Sequence, residues 1–518
     1  MSKIITNDFL SLFYQSVKQY PDKIALQFFS EKLTYKQLHD LSNQIAITII
    51  KKNVELNSPI ILEVEKSLVS IVYILGILKA RCYYIPVAPN IPTNRLEYLI
   101  GNSKCRMAFL QYHYDKFNII KDFQCFLMEK NLSKLIAGIE NNTYSELKAL
   151  QIKSYDPVCC LYTSGSTGYP KGVLMSHIGL ATFFQDVKPI MNMNSNSLCL
   201  NTAPFIFDVS IIDTLFPLTI GATVFISPET ILPNFILNLI HQQRITHMCG
   251  VSSTINLLFS NAELLTRYNI SSLTTIMTGA ELLHKKTLCT LLKYSPIATI
   301  INGYGLTETT CLCTAFIINI KNVNEHLLYP IGKPLASTEA KILNTGNSKD
   351  ERGELLLHGD QIMLGYLNNP EANNKIFIKY EGRRYLKTGD IVSYDKDKNL
   401  VFHGRNDTQV KISGYRVDLN EVKYTLLSNQ GIKEVEIFIE KSLIIAVLSL
   451  KSKEYDKVKT INSLREEMNN LLPKYMHPKE LIILKDLPKL STGKTDLKKL
   501  RDIFNINQKN SLHMNAPE

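Results

Sequence analysis

The densest chemistry in the sequence lies in Leu161-Tyr-Thr-Ser-Gly-Ser-Thr-Gly-Tyr-Pro-Lys-Gly172. Three glycines, four Ser/Thr hydroxyls and one lysine share these twelve positions, directly after an apolar run. Glycines let backbone N–H groups close on an anion, the hydroxyls of Thr163, Ser164, Ser166 and Thr167 can donate, and Lys171 adds a point charge. This is the composition of a phosphate cradle, with Gly165 and Gly168 supplying the close approach. Pro170 stands where a Walker A loop needs its second glycine, which excludes that motif. A second segment, Ile301-Asn-Gly-Tyr-Gly-Leu-Thr-Glu-Thr-Thr310, sets a Gly-flanked aromatic before a carboxylate placed between threonines. Tyr304 can stack on a purine there, and Glu308 can hold Mg²⁺, which takes one or two protein carboxylates plus phosphate oxygens. By itself this segment reads equally as a structural turn.

Such loops need strands to carry them. Leu38, Leu41, Ile45 and Ile49 keep helical spacing, then Ile60, Leu62 and Val64 alternate as a strand does. Strands are expected at 83–87, 107–110, 158–162, 198–201, 223–226, 247–249, 275–277 and 297–301, with helical patterns of about ten residues between them. The phosphate-cradle segment and the Tyr304 segment both follow such strands, at the strand ends where α/β sheets bind ligands. After about residue 330 short strands at 353–358, 385–394 and 400–402 mark a β-rich section. A small α+β unit follows: a strand at 410–413, a helix from Leu419, a hairpin of 435–439 with 443–450, then a helix up to Leu472. The fold class is therefore α/β. A large N-terminal domain of layered sheets with a β-rich section (1–403) precedes a boundary at 404–407, a small α+β C-terminal domain (408–505) and a polar tail (506–518).

Composition narrows the function classes. The chain has 518 residues, 45% hydrophobic and 20% charged, which describes a globular protein of more than one domain. The net charge of +11 is spread without a run of five or six basic residues, so nothing singles out a nucleic-acid-binding tail. No stretch approaches the roughly 20 apolar residues that span a bilayer. The N-terminus offers Asp8 as a cap for a helix bearing Leu10, Phe13 and Val17, with no cleavage site after an apolar core, which argues against export. The ten cysteines show no C-x-x-C pair and read as reduced core thiols of a cytoplasmic protein.

Five motifs in order carry a resemblance: Tyr162 to Gly172, Gly303-Tyr-Gly-Leu-Thr-Glu308, Tyr385-Leu-Lys-Thr-Gly-Asp390, Gly404-Arg-Asn-Asp-Thr-Gln-Val-Lys-Ile-Ser-Gly414 and Ser491-Thr-Gly-Lys494. Together with Leu33-Thr-Tyr-Lys-Gln-Leu38 and Leu78-Lys-Ala-Arg-Cys-Tyr-Tyr-Ile-Pro86, they resemble the adenylate-forming superfamily over about residues 9–500. More narrowly, the chain is similar to the adenylation domains of nonribosomal peptide synthetases and to freestanding amino acid:carrier-protein ligases. Arg81, Cys82 and Leu306 depart from that pattern, outside the phosphate chemistry.

The resemblance implies a reaction and assigns residues to it. A carboxylate would attack the α-phosphate of ATP, releasing pyrophosphate and leaving an acyl-adenylate. The cradle residues Thr163, Ser164, Gly165, Ser166, Thr167, Gly168 and Lys171, with Asn302, Gly303, Tyr304 and Thr307, would bind ATP. Asp390 would take both ribose hydroxyls with help from Arg405, although these two residues also make sense as a structural salt bridge. Thr163 and Glu308 would contact Mg²⁺. Lys494 would bridge the substrate carboxylate and a phosphate-side oxygen as charge develops, though six other lysines crowd the same stretch. Asp407 would be the hinge about which the small domain turns between two half-reactions, and Gly414 would border the tunnel for a phosphopantetheine arm.

The acid is read from Asp208, in Ala203-Pro-Phe-Ile-Phe-Asp-Val-Ser210. In amino-acid-activating relatives this aspartate pairs with the substrate α-ammonium, a charge-assisted bond; otherwise it is a capping residue. The pocket would continue through Val209, Ile212, Cys249, Met277, Gly279, Gly303, Cys311 and Leu312, none of which bears a charge. A polar substrate side chain would be left unpaired there, so the expected substrate is a neutral, mainly apolar amino acid. The two glycines suggest room for something larger than alanine, and the bulk of Cys249 and Cys311 works against it. With no Gly-Gly-x-Ser carrier motif in the sequence, the expected partner is a separate carrier protein bearing phosphopantetheine. The same frame admits a D-alanine:carrier protein ligase or an acyl/aryl-CoA ligase.

Overall fold

A computed structural model describes residues 8–111, 123–138, 151–165, 169–281, 283–325, 329–344, 351–412, 414–452, 456–489 and 495–513. The chain divides into two compact units. The larger comprises residues 1–90, 99–163 and 171–407, and the smaller 91–98, 164–170 and 408–518.

In the larger unit, helix Phe9–Gln19 starts at Asp8, whose carboxylate accepts from the Ser11 N–H at 2.8 Å, so a first-turn donor is satisfied as the sequence suggests. Helix Tyr35–Lys51 begins with a reciprocal Thr34/Gln37 cap and buries Leu38, Leu41, Ile45 and Ile49 on one face. Two large sheets follow from the alternating pattern. One orders its strands 333–334, 314–318, 299–304, 275–279, 247–251, 198–201, 223–226, 24–28 and 31–34. The other runs 365–366, 171–176, 157–163, 83–87, 59–63, 107–110 and 124–127. Both are parallel in the middle and antiparallel toward edges such as 299–304 with 314–318 and 157–163 with 171–176. The continuous apolar runs of the central strands reflect burial on both faces. The section after residue 330 forms an antiparallel sheet of strands 339–343, 353–358, 383–394, 377–380 and 400–405.

In the smaller unit a hairpin of Gln409–Ile412 with Tyr415–Asp418 precedes helix Leu419–Leu427 and a sheet of Ile432–Glu440, Leu443–Leu450 and Glu480–Leu484. The last strand, Glu-Leu-Ile-Ile-Leu, lies outside the sequence expectation: five residues pairing in parallel with 443–450 give too short a run to stand out. Strand 299–304 starts two residues later than the sequence suggests, because Ile297 is exposed in the preceding turn. All ten cysteines are free, and most are buried. No described helix is long and apolar enough to cross a membrane.

Candidate active site

The Gly-rich segment is the connection of a hairpin. Strand Pro157–Thr163 pairs antiparallel with Lys171–Ser176, so Thr163 lies opposite Lys171. Gly172 packs against Cys160, where a Cβ would come within 2.7 Å of the sulfur, so the glycine is set by packing. The Lys171 ammonium lies 5.4 Å from the centre of the Tyr366 ring. Ser166, Thr167 and Gly168 lie outside the described residues, as does Lys494. Within the smaller unit, Ser164 Oγ donates to the Arg416 carbonyl at 2.9 Å and accepts from the Asp418 N–H at 3.1 Å. The Gly165 N–H donates to Glu421 Oε2 at 3.0 Å, and the other oxygen of Glu421 accepts from Arg95 at 2.9 Å. Burial raises the Glu421 carboxyl above its ordinary range. Gly414 turns the 409–418 hairpin with a left-handed φ of 83°.

Strand Thr299–Tyr304 delivers the second segment at its carboxyl end. The Asn302 amide donates to the Pro330 carbonyl at 2.8 Å. Tyr304 is buried, its hydroxyl donates to Asp390 Oδ2, and burial holds the phenol well above its usual pKa, so it remains a donor. In the short 3₁₀ turn Thr307–Thr309, the Thr307 hydroxyl donates to Asp208 Oδ2 at 2.7 Å. The adjacent Glu308 is fully buried and accepts from the Tyr366 hydroxyl at 2.6 Å. Gln361 holds the following backbone by donating to the carbonyls of Thr309 and Leu312, both at 2.9 Å.

Asp390 sits on strand 383–394 opposite Arg405 of strand 400–405. Arg405 Nη1 reaches Asp390 Oδ1 at 2.5 Å, and its other two nitrogens grip both oxygens of Asp407 at 2.7 Å. This forked arrangement uses the rigid planar geometry that guanidinium offers. The ion pair weighed from the sequence is thus present, and it places two acceptor oxygens between a phenol and a guanidinium.

The residues named for the acid pocket come from neighbouring strands and the loop before them. Cys249 stands beside Met277, Met277 beside Ile301, and Gly279 beside Gly303, in parallel register. Ile212, Cys249, Met277 and Leu312 are buried in one apolar cluster, against which Val209 and Cys311 pack. The Cys199 thiol and burial push the Cys249 thiol well above its ordinary pKa, keeping it neutral. The two glycines differ in meaning. A Cβ at Gly279 would lie 2.1 Å from the Gly303 carbonyl oxygen, so glycine is demanded there by backbone approach. At Gly303 it would meet Leu312 at an ordinary 3.4 Å, and only this glycine leaves room.

Several partners lie outside the sequence motifs. Tyr366 on Glu308 is unmarked in the sequence because 58 residues separate them. Asp213 is a fully buried carboxylate inside the apolar run Ile211-Ile-Asp-Thr-Leu215, a local signal that was available. Lys66 is a second buried charge close by in space.

A family model described as "AMP-binding enzyme" matches residues 13–367. The chain belongs to the AMP-binding enzyme family. This enzyme is an adenylate-forming ligase of the peptide synthetase type. It is 30% identical over 501 residues to zwittermicin A synthase ZmaJ of Bacillus cereus, covering 94% of each chain. It is 28% identical to the D-alanine–D-alanyl carrier protein ligase of Bacillus anthracis, covering 93% of this chain and 96% of that one. Its fold matches the Vibrio cholerae adenylation domain AlmE, solved with glycyl-adenosine-5'-phosphate, at a TM-score of 0.77. Identity there is 20%, and the match covers 98% of this enzyme and 99% of that chain.

Proposed function

We propose that this AMP-binding enzyme activates a neutral, mainly apolar amino acid as its aminoacyl-adenylate and passes it to the phosphopantetheine thiol of a carrier protein. The observation that carries the reading is Asp208. Its carboxylate is braced by the Thr307 hydroxyl at 2.7 Å, and Val209, Ile212, Cys249, Met277 and Cys311, which gather in one apolar cluster, carry no charge. A carboxylate set beside an apolar pocket suits a substrate with an ammonium at one end and no polar group at the other.

In the first half-reaction an oxygen of the substrate carboxylate attacks the α-phosphorus of ATP. The new acyl–phosphate bond forms as the bond to the β-phosphate oxygen breaks, and pyrophosphate leaves. Asp208 holds the ammonium, while Asp390, oriented by Tyr304 and Arg405, accepts from the ribose hydroxyls. Lys171 and Lys494 supply positive charge to the phosphate and carboxylate oxygens. Thr163 and Glu308 are oxygen donors of the kind Mg²⁺ takes, and they would hold the ion that neutralises phosphate charge. In the second half-reaction the carrier's thiol sulfur attacks the acyl carbon and AMP leaves, with Asp407 as the hinge between the two arrangements and Gly414 beside the arriving arm. The similarity to a D-alanyl carrier protein ligase supports a carrier protein as acceptor.

The test is exchange of labelled pyrophosphate into ATP, with pools of neutral, acidic and basic amino acids and of fatty and aryl acids. Exchange confined to the neutral amino-acid pool is the expected result, and exchange with fatty or aryl acids alone would refute it. The similarity to a D-alanyl carrier protein ligase and to an adenylation domain solved with glycyl-adenosine-5'-phosphate puts D-alanine and glycine in the panel.

A further inference from the structure

The loop 203–210 presents Asp208. Within it the Phe207 N–H donates to the Pro204 carbonyl, the Ser210 N–H to Phe207 and the Ile211 N–H to Asp208. The loop leaves strand Leu198–Asn201 and enters a π turn, Ile211–Leu215, a rare conformation that recurs at functional sites. Asp213 lies in that turn and is fully buried. Its Oδ2 accepts from the Thr202 and Ala203 N–H groups at 2.9 and 3.1 Å. Its Oδ1 accepts from Asn201 Nδ2 at 2.7 Å and from the Thr214 hydroxyl at 3.0 Å. One carboxylate therefore ties the start of the loop to its end.

Lys66 grips the same strand end from the other side. Its ammonium donates to the Thr202 carbonyl at 2.7 Å and to Ser227 Oγ at 2.9 Å. The Thr202 hydroxyl in turn donates to the Cys249 carbonyl, on the next strand of the acid pocket. Neither charge is there cheaply. Burial pushes the Asp213 carboxyl up to about 6 and the Lys66 ammonium down to about 8, so folding disfavours the charged form of each. Buried charges are weak contributors to stability, and a geometric role explains their presence better.

We propose that Asp213 and Lys66 are positioning residues for amino-acid recognition, clamping both ends of the loop 203–210 so that Asp208 meets the substrate ammonium. The inference rests on the amino-acid reading above. Neither side chain needs to touch the substrate; both act through Asp208 and Thr202.

The experiment is pyrophosphate exchange with purified full-length enzyme, varying amino acid and ATP separately, with thermal melting of every variant. For Asp213→Ala the expected result is a rise in amino-acid KM of about tenfold or more with ATP KM within about twofold, the mark of lost substrate positioning. Asp213→Asn keeps an oxygen for the two N–H groups and should restore amino-acid KM to within about threefold of wild type. Lys66→Met should show the same split at about fivefold. An unchanged amino-acid KM in folded Asp213→Ala overturns the inference. So does a parallel rise in both KM values, and so does failure of both Asp213→Ala and Lys66→Met to fold, since each would make the clamp a purely structural staple. Absence of amino-acid-dependent exchange in the wild type is a separate outcome; it overturns the amino-acid reading and the inference with it.

Discussion

The proposed acid pocket and the Asp390 cluster are built on opposite principles within the same unit. The residues proposed for the acid are apolar side chains of one cluster, joined by a single carboxylate, Asp208, braced by a neutral hydroxyl. The cluster is charge against charge: Asp390 between Tyr304 and Arg405, and Arg405 again on Asp407. An apolar wall discriminates by shape, at a modest energy per methylene, and tolerates change. A dense ionic cluster loses its partners' compensation when one member goes, so it should fail abruptly.

The sharpest way to break this contrast is Asp390→Ala. It leaves the Arg405 guanidinium and the Tyr304 hydroxyl without their shared acceptor, and pyrophosphate exchange should fall by about a hundredfold or more. Retention of more than about a tenth of the activity would place the ribose contact elsewhere. Next in size, Asp208→Ala should raise amino-acid KM by about ten- to a hundredfold while ATP KM stays put, as a charge-assisted bond is worth roughly 1.5–3 kcal/mol. If ATP KM rises equally, the carboxylate is not serving the ammonium.

The Asp407 end of the cluster sharpens the comparison further, because its side chain and its backbone can be tested apart. Asp407→Pro should spare pyrophosphate exchange to within about threefold and slow thioester formation on a carrier protein by about tenfold or more. Asp407→Asn, which weakens the grip on Arg405, should leave both half-reactions within about threefold. Equal loss of both half-reactions in the proline variant would count against a hinge. Among the variants expected to lose activity, the smallest loss is expected at Tyr366→Phe. It removes one hydrogen bond from Glu308 yet keeps the ring near Lys171, so kcat should drop by about three- to tenfold. An unchanged kcat would mean that Glu308 needs no help in holding its position.

Much of the frame was legible because it is local. Asp8 and its helix, strands 83–87, 107–110, 198–201 and 223–226, and the start of helix 419–427 are fixed by short-range pattern, and each stands where periodicity put it. Edge behaviour was less legible. Three of the four outermost strands of the large sheets run antiparallel to their neighbours while 124–127 runs parallel, and the five-residue strand 480–484 owes its pairing to a neighbour rather than to its own composition. The sequence also grouped the two pocket glycines as equivalent. The register of strands 275–279 and 299–304 separates them, one closed by a carbonyl and one open toward Leu312.

By itself the sequence determined the family, the Gly-rich loop after a strand and the chemical types at the site. Each depends on residue identity at short spacing, which survives without knowledge of any long-range contact. Only the tertiary structure decided the pairings: Tyr304 with Asp390 across 86 residues, Thr307 with Asp208 across 99, Tyr366 with Glu308, and Lys66 with the strand end that Asp213 also holds. Such partners meet because packed sheets bring distant strand ends together, and a lone buried charge is tolerable only where the fold supplies its hydrogen bonds.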